Sequence, residues 1–444
     1  MKYSLSTACL FLSLCEALIH NKQDQLENTS FPSHIIKFKH DKSISAFEPT
    51  AFISKQYTTF RQAQLATHHS GTLMGIDLMG TDAQATLPSD AIKDIQVGNF
   101  KAVSGAFHPS FVSYLSQLEA VDYIEPNQVF KSTIEPIRTS PKPFKSTSLR
   151  LVNNRNYKRS LIVQTDVPSW GLSRINHRER DNPKIYTADE YAGKDVHVYV
   201  FDSGIDANHP DFGNRAIMEA NFVDKEESVD LAGHGTHVAG TIGGEIFGVA
   251  KNALLHGIKI LDRKGDGTTA SLLRAISYVS KTAIPGRSII NLSLTGPRSQ
   301  VVDDALSSLV RDYNIPVFVS AGNSGDDSCN YSPSSNPDVF TVGAMDEHDM
   351  IPFFSSYGDC VSIYAPGRNI TSSWVNSQVR TMDGTSMANP HVSGIAAVLL
   401  SQKQYDNAGK LYKDILALAS QNMLNYEVDD LNRPRALLAY QSPF

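Results

Sequence analysis

The chain has 444 residues, of which 41% are hydrophobic and 19% are charged, and its formal net charge is −6 at pH 7. This length suffices for two or three folded units with a large core, and the composition is ordinary for a soluble globular protein. The mild negative charge gives no overall reason to expect nucleic acid or an anionic membrane as a partner.

The first residues are typical of a secretory signal peptide. Lys2 precedes an apolar run from Leu5 to Cys15, and the small residues Cys15 and Ala17 suit cleavage after Ala17. The run is too short to cross a bilayer, and no later stretch reaches roughly 18 uninterrupted apolar residues. We therefore predict a signal peptide at 1–17, export of the chain and no membrane span. An ordinary buried N-terminal segment is the alternative.

Cysteine usage agrees with export. Cys9 and Cys15 lie in the leader, which leaves Cys329 and Cys360. An even pair in an exported chain favours a disulfide over two unrelated buried thiols. Sequons for N-glycosylation occur at Asn28, Asn291, Asn330 and Asn369. The second of these lies in an apolar run, which makes it the weakest glycan site of the four.

Residues 33–130 are predicted to form a compact α+β unit of ferredoxin-like type, with the order βαββαβ. The expected elements are a strand at His34–Phe38, a helix at about Ala51–His69, two strand-like pieces around Ile92–Phe107, a helix at Pro109–Ala120 and a strand at Val121–Glu125.

Residues 131–165 differ in composition from both flanks. Basic residues lie among Ser, Thr, Pro and Asn, and Glu135 is the only acid. Such a stretch buries too little apolar area to offset its ordering entropy, so we predict an exposed basic linker. The pair Lys158-Arg159 is a candidate processing site; a merely solvated basic pair is the alternative.

Residues 166–444 alternate strands and helices, which favours an α/β fold with a doubly wound, mostly parallel sheet covered on both faces. The expected strands are Asp195–Phe201, Leu254–Leu261, Ser288–Leu294 and Pro316–Ser320, with helices at Thr269–Ser280 and Val301–Tyr313. Ligand sites in such sheets lie beyond the carboxyl ends of the strands.

An acid, a base and a hydroxyl occur in suitable local settings. Asp202 directly follows a strand, where a carboxylate can orient a histidine, although an aspartate that caps a turn would look the same. His234 lies between two glycines, whereas His237 begins an apolar helical run, so His234 is the preferred base. Ser386 starts an apolar helix, where it feels the positive end of the helix dipole; an ordinary N-cap serine is the alternative.

Asn323 is a candidate oxyanion donor. It follows a buried strand through Ser320, Ala321 and Gly322, so its amide is expected at the same edge of the sheet. Together with the backbone N–H of Ser386 it would form a two-donor site for a tetrahedral oxyanion. On its own, Gly-Asn after a strand is usually a turn.

These segments, in the order Asp, His, Ser, resemble those of the subtilisin-like serine proteases, the subtilases, and most closely the branch around proteinase K and cerevisin. The resemblance runs from about Pro168 to the C-terminus. It is carried by Val198–Ile205, Gly233–Thr241, Asn330–Pro333 and Gly384–Val392. It implies that Asp202, His234 and Ser386 form the catalytic triad, and that Asn323 is the oxyanion donor.

The same resemblance implies two edge segments that bind the substrate backbone as an added antiparallel strand. They are Gly265, Asp266 and Gly267, and Ser293, Leu294 and Thr295. Family members usually have glycine at the position of Thr295, so a β-branched side chain there is expected to narrow the primary specificity pocket. A bridge between Cys329 and Cys360 resembles one in cerevisin-like relatives.

The resemblance also bears on metal ions and on the N-terminal unit. No cofactor is required for the chemistry, and no metal ligand is assigned. A tight calcium site of proteinase K-like enzymes uses an aspartate where this chain has Ser362, so that site is doubtful here. The unit at 33–130 resembles the family's inhibitory propeptide of the I9 type, notably at Phe100–Phe107 and Val121–Pro126.

The sequence thus predicts a secreted, monomeric serine endopeptidase that is made as an autoprocessed zymogen, cleaves polypeptides, and carries its own propeptide as intramolecular inhibitor and folding aid. A lytic vacuole is the alternative compartment. A catalytically silent subtilase fold is the alternative function. A dibasic-specific protease of the kexin type is disfavoured, because only about 45 residues follow Leu400, too few for the extra β-rich domain of that type.

Overall fold

The computed structural model describes residues 33–40, 48–68, 92–132, 139–145, 149–154, 159–180, 184–428 and 436–442. The expected leader, the sequon at Asn28 and Lys158 lie outside these residues. The described residues divide into two compact units, one formed by those up to 94 together with 102–127, the other by those at 95–101 together with those from 128 onwards.

The first unit, together with residues 95–101, has the predicted order βαββαβ. Its elements are β1 (Ser33–Phe38), α1 (Pro49–His68), β2 (Ile92–Val97), β3 (Phe100–Ala106), α2 (Pro109–Leu115) and β4 (Val121–Pro126). The strands lie in the order β2-β3-β1-β4, with β1 antiparallel to β3 and β4. Helix α2 begins at Pro109 because His108 caps it, its ring accepting from the Ser110 N–H. The core contains Phe111, whose ring meets that of Tyr57 edge to face at 5.2 Å.

The second unit contains the remaining elements. In chain order they are β5 (Val129–Ser132), β6 (Lys142–Pro143), β7 (Leu149–Asn154), β8 (Arg159–Thr165), α3 (Trp170–Asn176), β9 (Ile185–Asp189), β10 (His197–Asp202), β11 (Ala216–Asn221), α4 (His234–Gly243), β12 (Leu254–Lys259), β13 (Asp266–Thr268), α5 (Thr269–Thr282), β14 (Ser288–Leu292), β15 (Leu294–Pro297), α6 (Gln300–Tyr313), β16 (Val317–Ser320), β17 (Tyr331–Ser332), β18 (Phe340–Met345), β19 (Met350–Ile351), β20 (Ile363–Pro366), β21 (Ile370–Trp374), β22 (Gln378–Met382), α7 (Thr385–Gln402), α8 (Ala408–Leu418) and β23 (Asn425–Tyr426).

The core of this unit is a seven-stranded parallel sheet in the order β11-β12-β10-β14-β16-β18-β20. Strand β14, with the sequence Ser-Ile-Ile-Asn-Leu, is buried throughout, as expected for a strand covered on both faces. Because all seven strands point the same way, their carboxyl ends share one edge of the sheet. Asp202 ends β10 at this edge, and Ser293 follows β14 there.

Two helices of this unit differ from ordinary surface helices. All ten residues of α4 are buried, and α7 is buried over most of its length, including its interior Pro390. A helix that is apolar around its whole circumference belongs inside a core. Helices α4 and α7 pack against each other, and α7 also packs on β14, β16 and β18. The starts of both helices carry candidate catalytic residues.

The described part of the range expected to be an exposed linker, 131–165, includes the end of β5 and all of strands β6, β7 and β8. Strands β7 and β8 form an antiparallel sheet with β9, and β6 pairs with β22. Leu151 on β7 is 71% exposed, whereas Ile162 on β8 is buried, so backbone pairing and one buried face of β8 together hold these strands. Composition predicted little apolar burial, but it carries no information on pairing with an existing strand edge.

Two further expectations concern the whole described chain. Cys329 and Cys360 form a disulfide, with their Cα atoms 5.4 Å apart. Among the residues that the structure describes, no helix is both long enough and apolar enough to cross a membrane.

Candidate active site

Asp202 and His234 form a buried hydrogen-bonded pair at the carboxyl edge of the sheet. The His234 Nδ1 lies 2.7 Å from Asp202 Oδ1, and the two side chains are 3% and 0% exposed. An ionised carboxylate can only accept hydrogen bonds, so Nδ1 carries a proton, and in the neutral imidazole Nε2 then presents a lone pair. Nε2 is buried and has no hydrogen-bonding partner among the described residues. The arrangement provides an oriented base.

Glycines on both sides of His234 permit this position. Gly233 has φ of 86°, a conformation that favours glycine, and a Cβ there would collide with the Trp374 ring. A Cβ on Gly235 would collide with the carbonyl oxygen of Gly204. The start of α4 therefore lies against the loop that follows Asp202 closely enough for the two side chains to meet.

Asp230, which sequence reasoning missed, links the loop that follows Asp202 to the start of helix α4, which carries His234. Its Oδ1 accepts from the Ser203 hydroxyl at 2.8 Å and from the Gly233 N–H at 2.7 Å, and its Oδ2 accepts from the Thr236 N–H at 2.9 Å. Ser203 Oγ in turn accepts from the Gly235 N–H at 3.0 Å. An acidic residue just before a helix start is a recognised capping signal and could have drawn attention to this position.

Lys259 is a second residue that sequence reasoning missed. Its ammonium group is 0% exposed, forms an ion pair with Glu226 at 3.1 Å, and donates to the carbonyl oxygens of Ser203 and Leu261. Lys259 ends β12, in register with Asp202 on β10. It thereby holds the backbone directly after the acid.

Ser386 lies in the first turn of α7 and is buried. Its hydroxyl donates to the Ser293 carbonyl at 3.0 Å, and its own carbonyl accepts from the Ser293 hydroxyl at 3.3 Å. Gly384 before it has φ of 145°, which a residue with a side chain rarely adopts. The serine and the base thus lie at the starts of two packed helices, without a hydrogen bond to His234 Nε2. Such catalytic bonds often form only with substrate bound.

Asn323 lies beside the same helix start. Its Oδ1 accepts from the Thr385 N–H at 3.0 Å and from the Thr385 hydroxyl at 2.8 Å. These two bonds orient the amide group and leave Nδ2 buried, without a partner in the described part of the chain. A buried, unsatisfied donor is costly unless a ligand completes it, so this amide is suited to a developing oxyanion.

Both predicted edge segments hold an antiparallel strand, and that strand is the chain's own β5. Lys131 pairs with Asp266 on one side and with Thr295 on the other, while Ser132 pairs with Leu294. The Ser132 N–H donates to the Gly265 carbonyl at 3.0 Å. Residues 129–132 therefore occupy the position expected for a substrate backbone.

The side chain of Phe130 is the main apolar contact of β5. It is 1% exposed, and its ring lies where a Cβ on Gly296 would have to be. The absence of a side chain at Gly296 thus creates the space that the ring fills. This pocket accepts a large apolar side chain of an extended peptide.

His237, the alternative candidate for the base, and Ser362, at the position of a calcium ligand in proteinase K-like enzymes, both contact backbone groups of the protein. The His237 Nε2 lies 3.1 Å from the carbonyl oxygens of Ile370 and Arg380, and burial lowers the pKa of His237 to about 3. The Ser362 hydroxyl accepts a hydrogen bond from the Thr341 N–H at 3.4 Å. In the described ranges, no three or more His, Cys, Asp or Glu side chains are grouped as a metal site.

The chain is similar to known proteins over this region. A family model described as Peptidase_S8, the subtilase family, matches residues 193–430. Subtilisin-like protease 6 of Trichophyton schoenleinii is 40% identical over 312 residues, 68% of this chain and 71% of that protein. The subtilisin-like serine protease AsES of Sarocladium strictum is 37% identical over 347 residues, 77% and 81% of the two chains.

A solved structure gives the same likeness. A cold adapted subtilisin-like serine proteinase aligns with a TM-score of 0.58 and 38% identity, over 61% of this chain and 97% of that one.

Proposed function

This chain belongs to the subtilase family of serine-type endopeptidases, and we propose that it cleaves polypeptides through Asp202, His234 and Ser386 by way of an acyl-enzyme. The observation that carries this proposal is the buried Asp202–His234 pair, whose His234 Nε2 is left without a partner in the described part of the chain. A buried imidazole with a fixed tautomer and a free lone pair is suited to act as a general base.

In the proposed mechanism, the Ser386 Oγ attacks the carbonyl carbon of the scissile peptide bond while His234 Nε2 takes the hydroxyl proton. Asp202 holds the imidazole in its tautomer and stabilises the imidazolium that forms. The Asn323 Nδ2 and the backbone N–H of Ser386 donate to the oxyanion. His234 then returns the proton to the leaving amine, and water hydrolyses the acyl-enzyme in a second, equivalent step.

We further propose that the chain is made as a zymogen, with 33–130 as its inhibitory propeptide. Support comes from β5, which binds both edge segments in the manner of a substrate or product. A strand so placed competes with substrate for the same backbone groups. The first self-cleavage is expected in the residues directly after Ser132, and the Lys158-Arg159 pair is a candidate for a later cut.

Export is proposed on two grounds, the predicted leader at 1–17 and the Cys329–Cys360 disulfide. Disulfides persist mainly in oxidising compartments, which include the secretory pathway and the extracellular space. We propose that the enzyme acts there as a monomer.

The experiment that tests this function compares the full chain with its Ser386→Ala variant, both expressed in a host that lacks endogenous secreted proteases. The wild-type chain should lose its N-terminal part, with a new N-terminus soon after Ser132, and should hydrolyse casein. The variant should remain a precursor, because no nucleophile is present. Ser308→Ala on α6 serves as the matched control and should mature normally. Maturation of the Ser386→Ala chain at the wild-type rate would contradict the proposal.

A further inference from the structure

Strand β22 leads to the nucleophile and carries a second piece of the chain on its edge. Only Asp383, Gly384 and Thr385 separate the end of β22 from Ser386. On one side β22 pairs with β21, and on the other side it pairs antiparallel with β6, where Val379 lies opposite Lys142. The edge of β22 that would otherwise present unpaired backbone groups is therefore covered by a segment from the predicted linker.

Hydrogen bonds extend this pairing beyond β6 at both ends. Near Ser386, the Thr139 hydroxyl donates to the Thr381 carbonyl at 3.0 Å, and the Arg380 Nε donates to the Thr139 carbonyl at 3.1 Å. At the far end, the Phe144 N–H donates to the Ser377 carbonyl at 3.2 Å. The segment 139–144 thus follows the chain from Thr381 back to Ser377. Backbone groups bind at β6 and Phe144, whereas at the other end the Thr139 hydroxyl also accepts from the Thr381 N–H at 3.3 Å.

One side chain of the segment reaches an apolar site. The Phe144 ring meets the ring of His209 edge to face at 5.2 Å and that of Phe247 at 6.4 Å. Both partners are buried, and the His209 Nε2 lies 2.9 Å from the Gln378 carbonyl on β22 itself. The aromatic site is therefore fixed to the strand that binds the backbone.

The directions of the two bound segments are those of one continuous chain. Along β5 the chain runs towards Ser132, opposite Leu294, the neighbour of the Ser293 that binds the Ser386 hydroxyl. Along β22 it runs away from Ser386, from Thr139 to Phe144. Six residues, 133–138, join the two segments in sequence. A polypeptide that follows this route approaches the serine on one strand edge and departs on the other.

We propose that the edge of β22, together with His209 and Phe247, is a docking strip for the part of a polypeptide substrate that lies C-terminal to the cleaved bond. The strip binds an extended polypeptide that carries an aromatic residue about a dozen positions after the residues that pair with the two edge segments. In the precursor, residues 139–144 occupy the strip. Main-chain pairing supplies affinity, and the aromatic site supplies selectivity. This inference rests on the proposed function, because it needs Ser386 to be the nucleophile.

The test uses enzyme that has matured from the secreted full chain. Its substrates are synthetic peptides of residues 128–145, the same peptide with Phe144→Ala, the same peptide with Lys145→Ala, and the truncated peptide 128–138. A tetrapeptide anilide, which ends at the scissile bond and cannot reach the strip, measures intrinsic activity. Mass spectrometry gives kcat/KM for each peptide. Lys145 is exposed, which makes its substitution the matched control.

The proposal predicts that Phe144→Ala lowers kcat/KM by roughly fivefold, the equivalent of one aromatic contact. Truncation to 128–138 should lower it further, since it also removes the backbone pairing, and Lys145→Ala should leave it unchanged. Equal kcat/KM values for all four peptides would overturn the proposal that substrate docks on this strip. That result would mean either that substrate does not bind there or that residues 139–144 still occupy the strip after maturation. Failure to cleave the anilide would instead overturn the proposed function.

Discussion

Asn323, the proposed oxyanion donor, is the residue whose catalytic role is easiest to separate from a structural one. Asn323 receives two hydrogen bonds at Oδ1 and offers Nδ2 into the site. The donor binds charge that develops only in the transition state, so its loss should lower kcat and leave KM almost unchanged.

We expect Asn323→Ala to lower kcat by about 100- to 1,000-fold, a magnitude established for such a donor in a related enzyme. Steady-state kinetics on an anilide substrate measure it, with Ser308→Ala as the control. A raised KM with normal kcat would show instead that Asn323 binds the ground state.

Ser203 should act as a positioning residue through its hydroxyl. It donates to Asp230 and accepts from the Gly235 N–H, so it links the loop that follows Asp202 to helix α4, which carries His234. Removal of the hydroxyl leaves a buried carboxylate oxygen and a buried N–H with poorer partners.

Ser203→Ala is expected to lower kcat about tenfold, as a loss of about 1.4 kcal/mol would, with KM unchanged. Ser203→Thr keeps the hydroxyl and should restore most of the rate. If both variants lost only thermal stability and retained kcat, Ser203 would be structural rather than positioning.

The candidate catalytic residues next to strand ends and helix starts could be predicted from the sequence. The residues that hold them in place could not. Asp202 directly follows an apolar strand, and Ser386 directly precedes an apolar helix, so local pattern singles them out. Lys259 also ends a strand, but its role depends on contacts with Glu226 and the Ser203 carbonyl, which are distant in sequence. No local pattern reports such contacts.

At the level of elements, helices α4 and α7 each bury a neutral histidine. Burial lowers the pKa of His237 to about 3 and that of His391 to about 4. In the unfolded chain each histidine has a pKa of about 6.5, so below that pH the unfolded state binds more protons than the folded state. Stability is therefore fully present above about pH 6.5 and is lost progressively as the pH falls towards 4.

From pH 7 to pH 5 each histidine should remove about 2 kcal/mol from the free energy of unfolding. Asp303 opposes this by about 1 kcal/mol, because burial raises its pKa to about 6 and its protonation favours the folded state. Urea unfolding of the inactive Ser386→Ala chain at the two pH values should show a net loss of about 3 kcal/mol in the free energy of unfolding, and Asp303→Asn should enlarge this loss. An unfolding free energy that stayed level would contradict the neutral histidines.

Three strands of the central sheet, β11, β18 and β20, were not predicted. The element order of the first unit followed from periodicity, and so did β10, β12, β14 and β16 of the second, because buried parallel strands and apolar helices leave clear patterns. The strands of the linker did not. Strand β6 consists of Lys142 and Pro143, which no strand propensity favours, and it forms because β22 offers an edge with backbone groups to pair. Pairing of this kind depends on a partner formed elsewhere in the chain.

At the level of the whole molecule, one chain supplies both the proposed catalytic groups and a strand that fills the proposed substrate position. Strand β5 covers both edge segments, and segment 139–144 covers the edge of β22. A precursor blocked on both edges near the serine should be inactive until the linker is cut. The central claim is that Ser386 is a nucleophile activated by His234.

That claim is tested most directly by the reaction of the matured enzyme with a fluorophosphonate, followed by peptide mapping of the labelled residue. The account predicts one label per molecule on Ser386, with His234→Ala reacting at least about 1,000-fold more slowly because the serine lacks its base. The pH of the reaction and the probe concentration are kept equal for both proteins. A label on any other residue, or equal rates for the wild-type and His234→Ala enzymes, would contradict it.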